Sequence, residues 1–297
     1  YNFNIDNLFE KAINLSNKYK KEFLINITFG EYLKLVLSLD EFNYIILAFG
    51  YKSEFWLFNA YDGIISFKQD FSNTNTFYAM KGGFNQIIDK MLLKLSKIEI
   101  RTGTEFKDFS YNSVQKKYSI TCVNKFTQKI NCSKIIFAIP YNSLIKINHT
   151  IFKTLPMQNL LHSVNTTPLC RIYAIYGKNK SGKIWFENIG KITTDNEIQY
   201  IIPIDVKKGI IMISYSDYVY ADYWNQVNLS GLLHKILMYK LKEIFPDKDI
   251  PEPFIVNCYY WKIGTHYFKK GVDSSHIINT ISKPYKSMEL YICNESY

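Results

Sequence analysis

Residues 78–84 read Tyr-Ala-Met-Lys-Gly-Gly-Phe and place Gly82 and Gly83 directly in front of an amphipathic segment. The apolar residues of that segment stand at positions 84, 87, 88, 91, 92 and 95, which is helical spacing. A double glycine between a strand and a helix lets the backbone approach closely and leaves the helix N-terminal N–H groups free for an anion. Two glycines also occur in α/β turns for steric reasons, so a purely structural role stays open.

Short strands are predicted on the C-terminal side of the glycines. Residues 99–109 and 117–123 alternate or are rich in β-formers, and residues 134–139 form a nearly continuous apolar run. Such a run suits a strand that is buried on both faces, and Pro140 ends it. Further predicted strands cover residues 169–176, 199–204, 209–214, 255–261 and 289–293, with a helix at 229–245.

On the N-terminal side, apolar residues recur at helical spacing between residues 5 and 61 and predict several short helices. The pattern changes from helices to strands near Phe77, which makes that position a candidate domain boundary.

The composition is that of a packed globular protein: 47% of the 297 residues are hydrophobic and 21% are charged. The longest apolar runs are too short for a membrane-spanning helix. The chain starts at Tyr1 without a signal-peptide pattern, and we expect the natural N-terminus to precede it. The net charge of +10 comes from scattered lysines, which favours a solvated surface over a nucleic-acid partner.

Cysteine and histidine spacing indicates no metal site. The five cysteines are an odd number without CxxC spacing, and the five histidines lack ligand-like spacing. We therefore expect neither zinc nor a full disulfide set, and a reducing compartment such as the cytoplasm. The sequence also contains no GxSxG, HExxH or P-loop motif.

Several motifs together resemble one family, the FAD-dependent amine oxidases, which include monoamine, polyamine and L-amino-acid oxidases. The double glycine and its helix are followed by Arg-Thr-Gly-Thr at residues 101–104 and by Ile-Ile-Phe-Ala-Ile-Pro at residues 135–140. Residues 49–54 and 59–62 are similar to the helical part of the substrate domain in a protist and large-virus branch. Residues 260–273 and the Leu-Tyr-Ile-Cys-Asn-Glu segment at 290–295 resemble late flavin-proximal segments.

The resemblance implies a mixed α/β fold, in which an incomplete Rossmann-like FAD-binding domain is interleaved with a substrate domain of helices and a mixed sheet. The expected parts are 1–76 (substrate-domain helices), 77–147 (middle of the FAD domain), 148–283 (substrate-domain sheet and helices) and 284–297 (C-terminal part of the FAD domain). The family's GxGxxG unit and its closing glycine-rich segment are expected to lie outside these residues. Alone, the chain is expected to be inactive, to bind little FAD and to aggregate.

The implied activity is oxidation of a primary or secondary amine by hydride transfer to FAD, with oxygen as acceptor. By the resemblance, the residues near the cofactor are Gly82, Gly83, Phe106, Ala138, Pro140, Trp261, Asn294 and Glu295. Trp261 could equally be an ordinary core aromatic. The alternatives are a degenerate relative that serves as a binding or interaction module, and an unrelated basic α+β binding protein.

Arg171 is the implied catalytic residue, because it stands on the strand where many amine oxidases carry a lysine that holds a water beside the flavin. Arginine cannot act as a base, but it could orient a water, a substrate carboxylate or the flavin edge. A surface arginine is the other interpretation. Tyr267 and Asp273 are the implied substrate contacts, and Asp273 could attract a second amine or simply belong to a surface turn.

Overall fold

The computed structural model describes residues 3–70, 78 and 80–297. Its helices are α1 (Ile5–Ser16), α2 (Lys21–Ile25), α3 (Phe29–Val36), α4 (Leu39–Ala48), α5 (Ser53–Leu57), α6 (Ala60–Asp70), α7 (Asn85–Lys94), α8 (Tyr141–Leu144), α9 (Leu155–Leu161), α10 (Tyr218–Leu229), α11 (Leu233–Ile244) and α12 (Ser274–Ile281). Its strands are β1 (Glu105–Asn112), β2 (Lys117–Val123), β3 (Thr127–Cys132), β4 (Ile135–Phe137), β5 (Val164–Ile175), β6 (Ile192–Thr193), β7 (Tyr200–Asp205), β8 (Ile210–Asp217), β9 (Ile255–Phe268) and β10 (Leu290–Ile292). No helix in these ranges combines the length and the apolar character that crossing a membrane requires.

The predicted helices of the first part of the chain are confirmed, and local capping explains where two of them begin. Thr28 and Glu31 form a reciprocal capping box at the start of α3, and Ser38 with Glu41 does the same for α4. In each box the hydroxyl accepts from the third helical N–H while the glutamate accepts from the cap N–H. These sequence-local bonds satisfy orphan donors and set the first residue of each helix.

The first compact unit consists of residues 1–68, 162–275 and 296. Its five-stranded sheet has the order β6-β7-β8-β5-β9, and all neighbouring strands are antiparallel. Strand β5 lies between β8 and β9. Its buried residues Cys170, Ile172 and Ala174 share a core with Trp224 of α10 and Leu237 of α11. One face of the sheet is thereby covered by helices.

The helices of the first unit have their own aromatic core. The ring of Phe67 lies 4.6 Å from Phe9, 4.7 Å from Phe29 and 5.2 Å from Phe49 between centroids. Phe55 adds an edge-to-face contact with Phe49 at 5.5 Å. Aromatic pairs at these separations add to the stabilisation from burial, so short helices of low individual stability are held together.

The second compact unit consists of residues 69–161, 276–295 and 297. Strands β1, β2 and β3 form an antiparallel meander, and β4 pairs in parallel with β10. The predicted helix after the double glycine is present as α7, and all its side chains are at least partly exposed. The unit boundaries fall at residues 68/69, 161/162 and 275/276, while the proposed boundary at Phe77 lies outside the described residues. The domain roles assigned from the sequence stay predictions.

The expectation that residues 134–139 form a strand buried on both faces is wrong. Ile135 and Phe137 are buried, but Ile136 between them is 65% exposed. Successive side chains of a strand point to opposite faces, and only the face of Ile135 and Phe137 is covered in the described residues. Phe137 packs there against Phe109 and Phe152, with centroids 5.8 Å and 5.4 Å away.

Candidate active site

Arg171 lies on the sheet face opposite the helix-covered core of the first unit. Its neighbours Cys170 and Ile172 are fully buried in that core, so the strand alternation directs Arg171 to the other face. The register places it beside Tyr215 of β8 and Tyr259 of β9. Two adjacent strands therefore surround the guanidinium with aromatic residues.

The guanidinium of Arg171 is held by ring contacts and a hydrogen bond. Its Nη2 donates to the Tyr215 hydroxyl at 3.1 Å, and its Cζ lies 4.4 Å from the centre of the Tyr215 ring and 6.0 Å from that of Trp261. Cation–π attraction of this kind is strongest where water is excluded.

The electrostatic environment keeps Arg171 charged. Burial lowers its pKa, but contacts with the Tyr215 and Tyr173 hydroxyls raise it further, so the net shift is upward. No carboxylate in the described ranges forms an ion pair with it. The Nε atom is buried and has no hydrogen-bond acceptor among the described residues. The site thus contains an uncompensated cation with an unused donor.

Tyr51 and Tyr200 extend the aromatic surface next to Tyr215. The Tyr51 ring lies 5.2 Å from Tyr215 and 4.8 Å from Tyr200 between centroids. The Tyr200 hydroxyl accepts from the Gly50 N–H at 3.1 Å, and a side chain at Gly50 would collide with the Tyr200 ring. Burial raises the pKa of Tyr200 to about 12, which keeps the phenol neutral. We call Tyr51, Tyr200, Tyr215 and Trp261 the aromatic wall.

Asp217 is a buried residue of this region for which the sequence predicted no role. It is 1% exposed, and its carboxylate accepts from the backbone N–H groups of Lys52 at 3.0 Å and Ser53 at 2.9 Å. The Ser53 hydroxyl and the Gln199 side-chain amide donate to the same carboxylate. A buried charge is tolerated when it is bonded this completely, and here it joins the start of α5 to the end of β8. Residues 52 and 53 belong to the 49–54 segment that carries part of the family resemblance. That segment was the sequence feature that could have drawn attention to the surroundings of Asp217.

Lys52 is a half-buried cation whose backbone N–H donates to Asp217. Its Nζ donates to the Phe49 carbonyl at 2.9 Å and to the Ile46 carbonyl, where α4 ends. Burial lowers the pKa of Lys52 to about 8, although Asp217 and Asp195 oppose this shift.

The low pKa of Lys52 predicts a pH-dependent stability difference between the wild type and Lys52→Met. From about pH 8 to the ordinary lysine pKa of 10.5, the unfolded wild type binds more protons than the folded one. The free energy of unfolding of the wild type should therefore rise relative to the variant as the pH increases through this window. Urea titrations at several pH values measure it, with the exposed Lys18→Met as control. A stability difference that does not change between pH 7 and 10.5 contradicts the lowered pKa of Lys52.

Tyr267 and Asp273, the implied substrate residues, have different surroundings. The Tyr267 hydroxyl lies 3.2 Å from Ser53 Oγ, its ring lies 5.0 Å from that of Phe58, and burial raises its pKa. Asp273 instead forms an ion pair with Lys21, whose Nζ is 3.0 Å from both carboxylate oxygens. The carboxylate of Asp273 is thus paired with Lys21 of the same chain. Tyr267 instead contacts Ser53, which donates to Asp217.

The second unit brings together most of the residues implied to bind the cofactor. Ala138 and Pro140 follow β4, and Asn294 and Glu295 follow its parallel partner β10, so these residues lie at the same end of the pair. The Asn294 side-chain amide donates to the Ile139 carbonyl at 3.2 Å. Phe106 of β1 packs against Phe137 with centroids 5.5 Å apart, which places it beside the same strand.

These residues fit one part of FAD. In α/β sheets, nucleotide cofactors bind outside the carboxyl ends of parallel strands, and the β4–β10 pair presents Ala138, Pro140, Asn294 and Glu295 there. Gly82 and Gly83 have φ values of 86° and 87°, which favour glycine, and they precede α7 as the anion-binding hypothesis requires. Trp261 and Arg171 belong to the first unit and contact each other, whereas Gly82 and Gly83 belong to the second unit.

Comparisons with known proteins identify the family. The family model described as flavin-containing amine oxidoreductase matches residues 5–278. None of the curated protein sequences matches the chain. Among solved structures, wild-type putrescine oxidase bound to putrescine aligns with a TM-score of 0.72 at 13% identity, over 99% of this chain and 71% of that one.

Two engineered forms of putrescine oxidase, made to redesign its cofactor binding, also align. A double mutant has a TM-score of 0.72 at 12% identity, over 99% of this chain and 71% of that one. A triple mutant has a TM-score of 0.71 at 14% identity, over 98% and 68%. At such identities the likeness establishes the fold, and the family model establishes the membership. The chain belongs to the flavin-containing amine oxidoreductases and is an amine oxidase-like oxidoreductase whose cofactor is FAD.

Proposed function

We propose that this protein oxidises a primary or secondary amine by hydride transfer from the amine-bearing carbon to FAD, with oxygen as the final acceptor. The observation that carries the proposal is Arg171, an uncompensated cation set in the aromatic wall with an unused Nε donor. The family membership and the likeness to a putrescine-bound structure support an amine as substrate. FAD, when bound, supplies the redox chemistry, and the protein supplies binding and orientation.

In this proposal Arg171 is a donor and not a base. A guanidinium stays protonated at all relevant pH values, and the raised pKa strengthens that property here. It therefore holds an acceptor in place, either a water, a substrate carboxylate or an acceptor atom of the cofactor. Its hydrogen bond to Tyr215 restricts its orientation, which reduces the entropy lost when it binds that acceptor.

The aromatic wall is proposed to hold the substrate and exclude water. Trp261 is 44% exposed and contacts Arg171, so its ring is accessible on the same side as the guanidinium. Aromatic faces bind both the alkyl part of an amine and its cationic form. Tyr267 is proposed to support this region through Ser53, while a second ammonium could reach Asp273 only in competition with Lys21.

The cofactor residues are proposed to act through backbone and polar groups. Gly82 and Gly83 would admit a phosphate to the start of α7, and Asn294 and Glu295 would bind polar groups of the dinucleotide. Ala138, Pro140 and Phe106 would line its apolar parts beside β4.

Replacing Arg171 by leucine tests the proposed role. In FAD-loaded protein expressed from the complete reading frame, Arg171→Leu should slow amine-dependent bleaching of the flavin absorption by about 100-fold, because the acceptor loses its position. The FAD content should stay that of the wild type. The only other arginine, Arg101, pairs with Glu99 on the surface, so Arg101→Leu is the matched control and should reduce at the wild-type rate.

Two results would contradict different parts of the proposal. Unchanged reduction in Arg171→Leu removes this residue from the mechanism and leaves the activity standing. A wild-type protein that stays colourless with added FAD, or whose flavin no amine bleaches, contradicts the proposed activity itself.

A further inference from the structure

Cys170 and Cys258 lie in contact across two antiparallel strands, although 87 residues separate them in the chain. Their sulfur atoms are 3.5 Å apart. The register pairs Cys170 with Tyr260 and Ile172 with Cys258, so the two cysteines are diagonal neighbours on the same face of the β5–β9 ladder. All five cysteines are free thiols in the structure, and none of them has a role in the proposed amine oxidation.

The two thiols have unequal environments. Cys170 is 0% exposed on a strand with neighbours on both sides, whereas Cys258 is partly exposed on β9, the edge strand of the sheet. The contact between the two sulfurs lowers the pKa of Cys258, while the same contact, together with burial, raises the pKa of Cys170. The more accessible sulfur is therefore also the better nucleophile, because the thiolate is the reactive form.

We propose that Cys170 and Cys258 form an oxidant-sensitive pair, which hydrogen peroxide converts into a disulfide that joins β5 to β9. The Cys258 thiolate attacks one peroxide oxygen, the O–O bond breaks, and the departing hydroxide takes a proton to become water. The Cys170 sulfur then attacks the resulting sulfenic acid, the S–O bond breaks and a second water leaves. Two thiols are oxidised by two electrons in total, and both peroxide oxygens are reduced.

The link would act on the strands that carry the candidate active site. Arg171 directly follows Cys170, and the register places Tyr259 opposite Arg171, next to Cys258. A covalent bond on the core face would therefore restrict the spacing of the two strands behind Arg171 and Trp261. Because the cysteines are diagonal and the sulfurs must approach to about 2 Å, we expect a strained disulfide that thiols reduce readily.

Thiol mapping tests the pair without any flavin activity. Reduced protein is treated with hydrogen peroxide at neutral pH, the remaining thiols are blocked with N-ethylmaleimide, and the digest is analysed by mass spectrometry without reductant. We expect a cross-linked peptide containing Cys170 and Cys258, formed about tenfold faster than oxidation of buried Cys122, and its loss on adding dithiothreitol. Because peroxide is added directly, this result does not depend on the proposed amine oxidation.

Serine variants separate the two steps. Cys170→Ser should leave a sulfenic acid on Cys258 that dimedone traps, and Cys258→Ser should abolish both products. Cys293→Ser, which removes an exposed cysteine, is the control and should retain the cross-link. The proposal is overturned if wild-type protein oxidises at Cys293 while Cys170 and Cys258 stay unlinked, or if Cys258 proceeds to sulfinic acid without a cross-link.

Discussion

Replacing Trp224 by alanine is expected to lower the free energy of unfolding of the first unit by about 3–5 kcal/mol. Trp224 is 0% exposed and lies in the core between the sheet and the helices α10 and α11. Its Nε1 also donates to the Glu197 carbonyl at 2.7 Å. The truncation would leave a large cavity and remove the donor from that carbonyl, and both effects destabilise the fold.

Urea denaturation followed by circular dichroism and tryptophan fluorescence measures this loss. Val219→Ala is the matched control, because Val219 lies on the same helix but is exposed, and its effect should stay within about 0.5 kcal/mol. The loss of unfolding free energy in Trp224→Phe should fall between those of Trp224→Ala and Val219→Ala, because phenylalanine retains an aromatic ring but lacks the N–H donor. Equal stability of Trp224→Ala and Val219→Ala would contradict the position of Trp224 in this core.

Replacing Asp217 by alanine is expected to cost about 3–5 kcal/mol as well, for an electrostatic reason. The carboxylate is the common acceptor for the N–H groups of Lys52 and Ser53 and for the Gln199 amide. Without it, these donors lose their acceptor, and Lys52 loses the carboxylate that most favours its charged form. The start of α5 should therefore loosen together with the contact between Ser53 and Tyr267.

Two variants give this second prediction its controls. Asp217→Asn retains one acceptor oxygen at the same place and should lose less stability than Asp217→Ala. Asp222→Ala removes an exposed carboxylate whose one side-chain donor among the described residues is the Tyr260 hydroxyl, and it should cost below about 1 kcal/mol. Hydrogen exchange at the amides of Lys52 and Ser53 reports the local effect. Protected amides in Asp217→Ala would show that the carboxylate does not hold the start of α5.

The two residues bear on the candidate active site in different ways. Trp224 supports the sheet from the core face, and Arg171 lies on the other face of β5. Asp217 ends β8, the strand that carries Tyr215, and it binds the segment that carries Tyr51. The aromatic wall therefore depends on both a packed core and a buried charge, although neither residue belongs to the wall.

Local patterns in the sequence were sufficient for many individual elements. Strand β2 covers the predicted residues 117–123, and α7 follows the double glycine at the predicted place. Such elements depend on alternation, helical spacing and capping, which are properties of neighbouring residues. Helix α10 was not predicted, because its aromatic and polar residues show only weak amphipathicity and its place is decided by packing of Trp224.

The motifs also led to the family. The double glycine, the Ala-x-Pro segment and the late aromatic segment are each a short unbroken stretch, and their order along the chain can be read from the sequence. The sequence alone thus determined the helices of the first part, the strand-rich character of the rest, and the resemblance to flavin amine oxidases. It placed Arg171 on a strand but could not name its neighbours Tyr215 and Trp261, which lie 44 and 90 positions farther along the chain.

Only the tertiary structure decided the contacts between distant segments. Strand pairing brought Arg171 to the aromatic wall and placed Cys170 beside Cys258. Packing of helices and loops paired Asp273 with Lys21 and buried Asp217 against residues 52 and 53. The tertiary structure also left Ile136 exposed within an apolar run. The faces on which Arg171, Cys170 and Ile136 lie depend on the register of their strands, and a one-residue shift of register would reverse them.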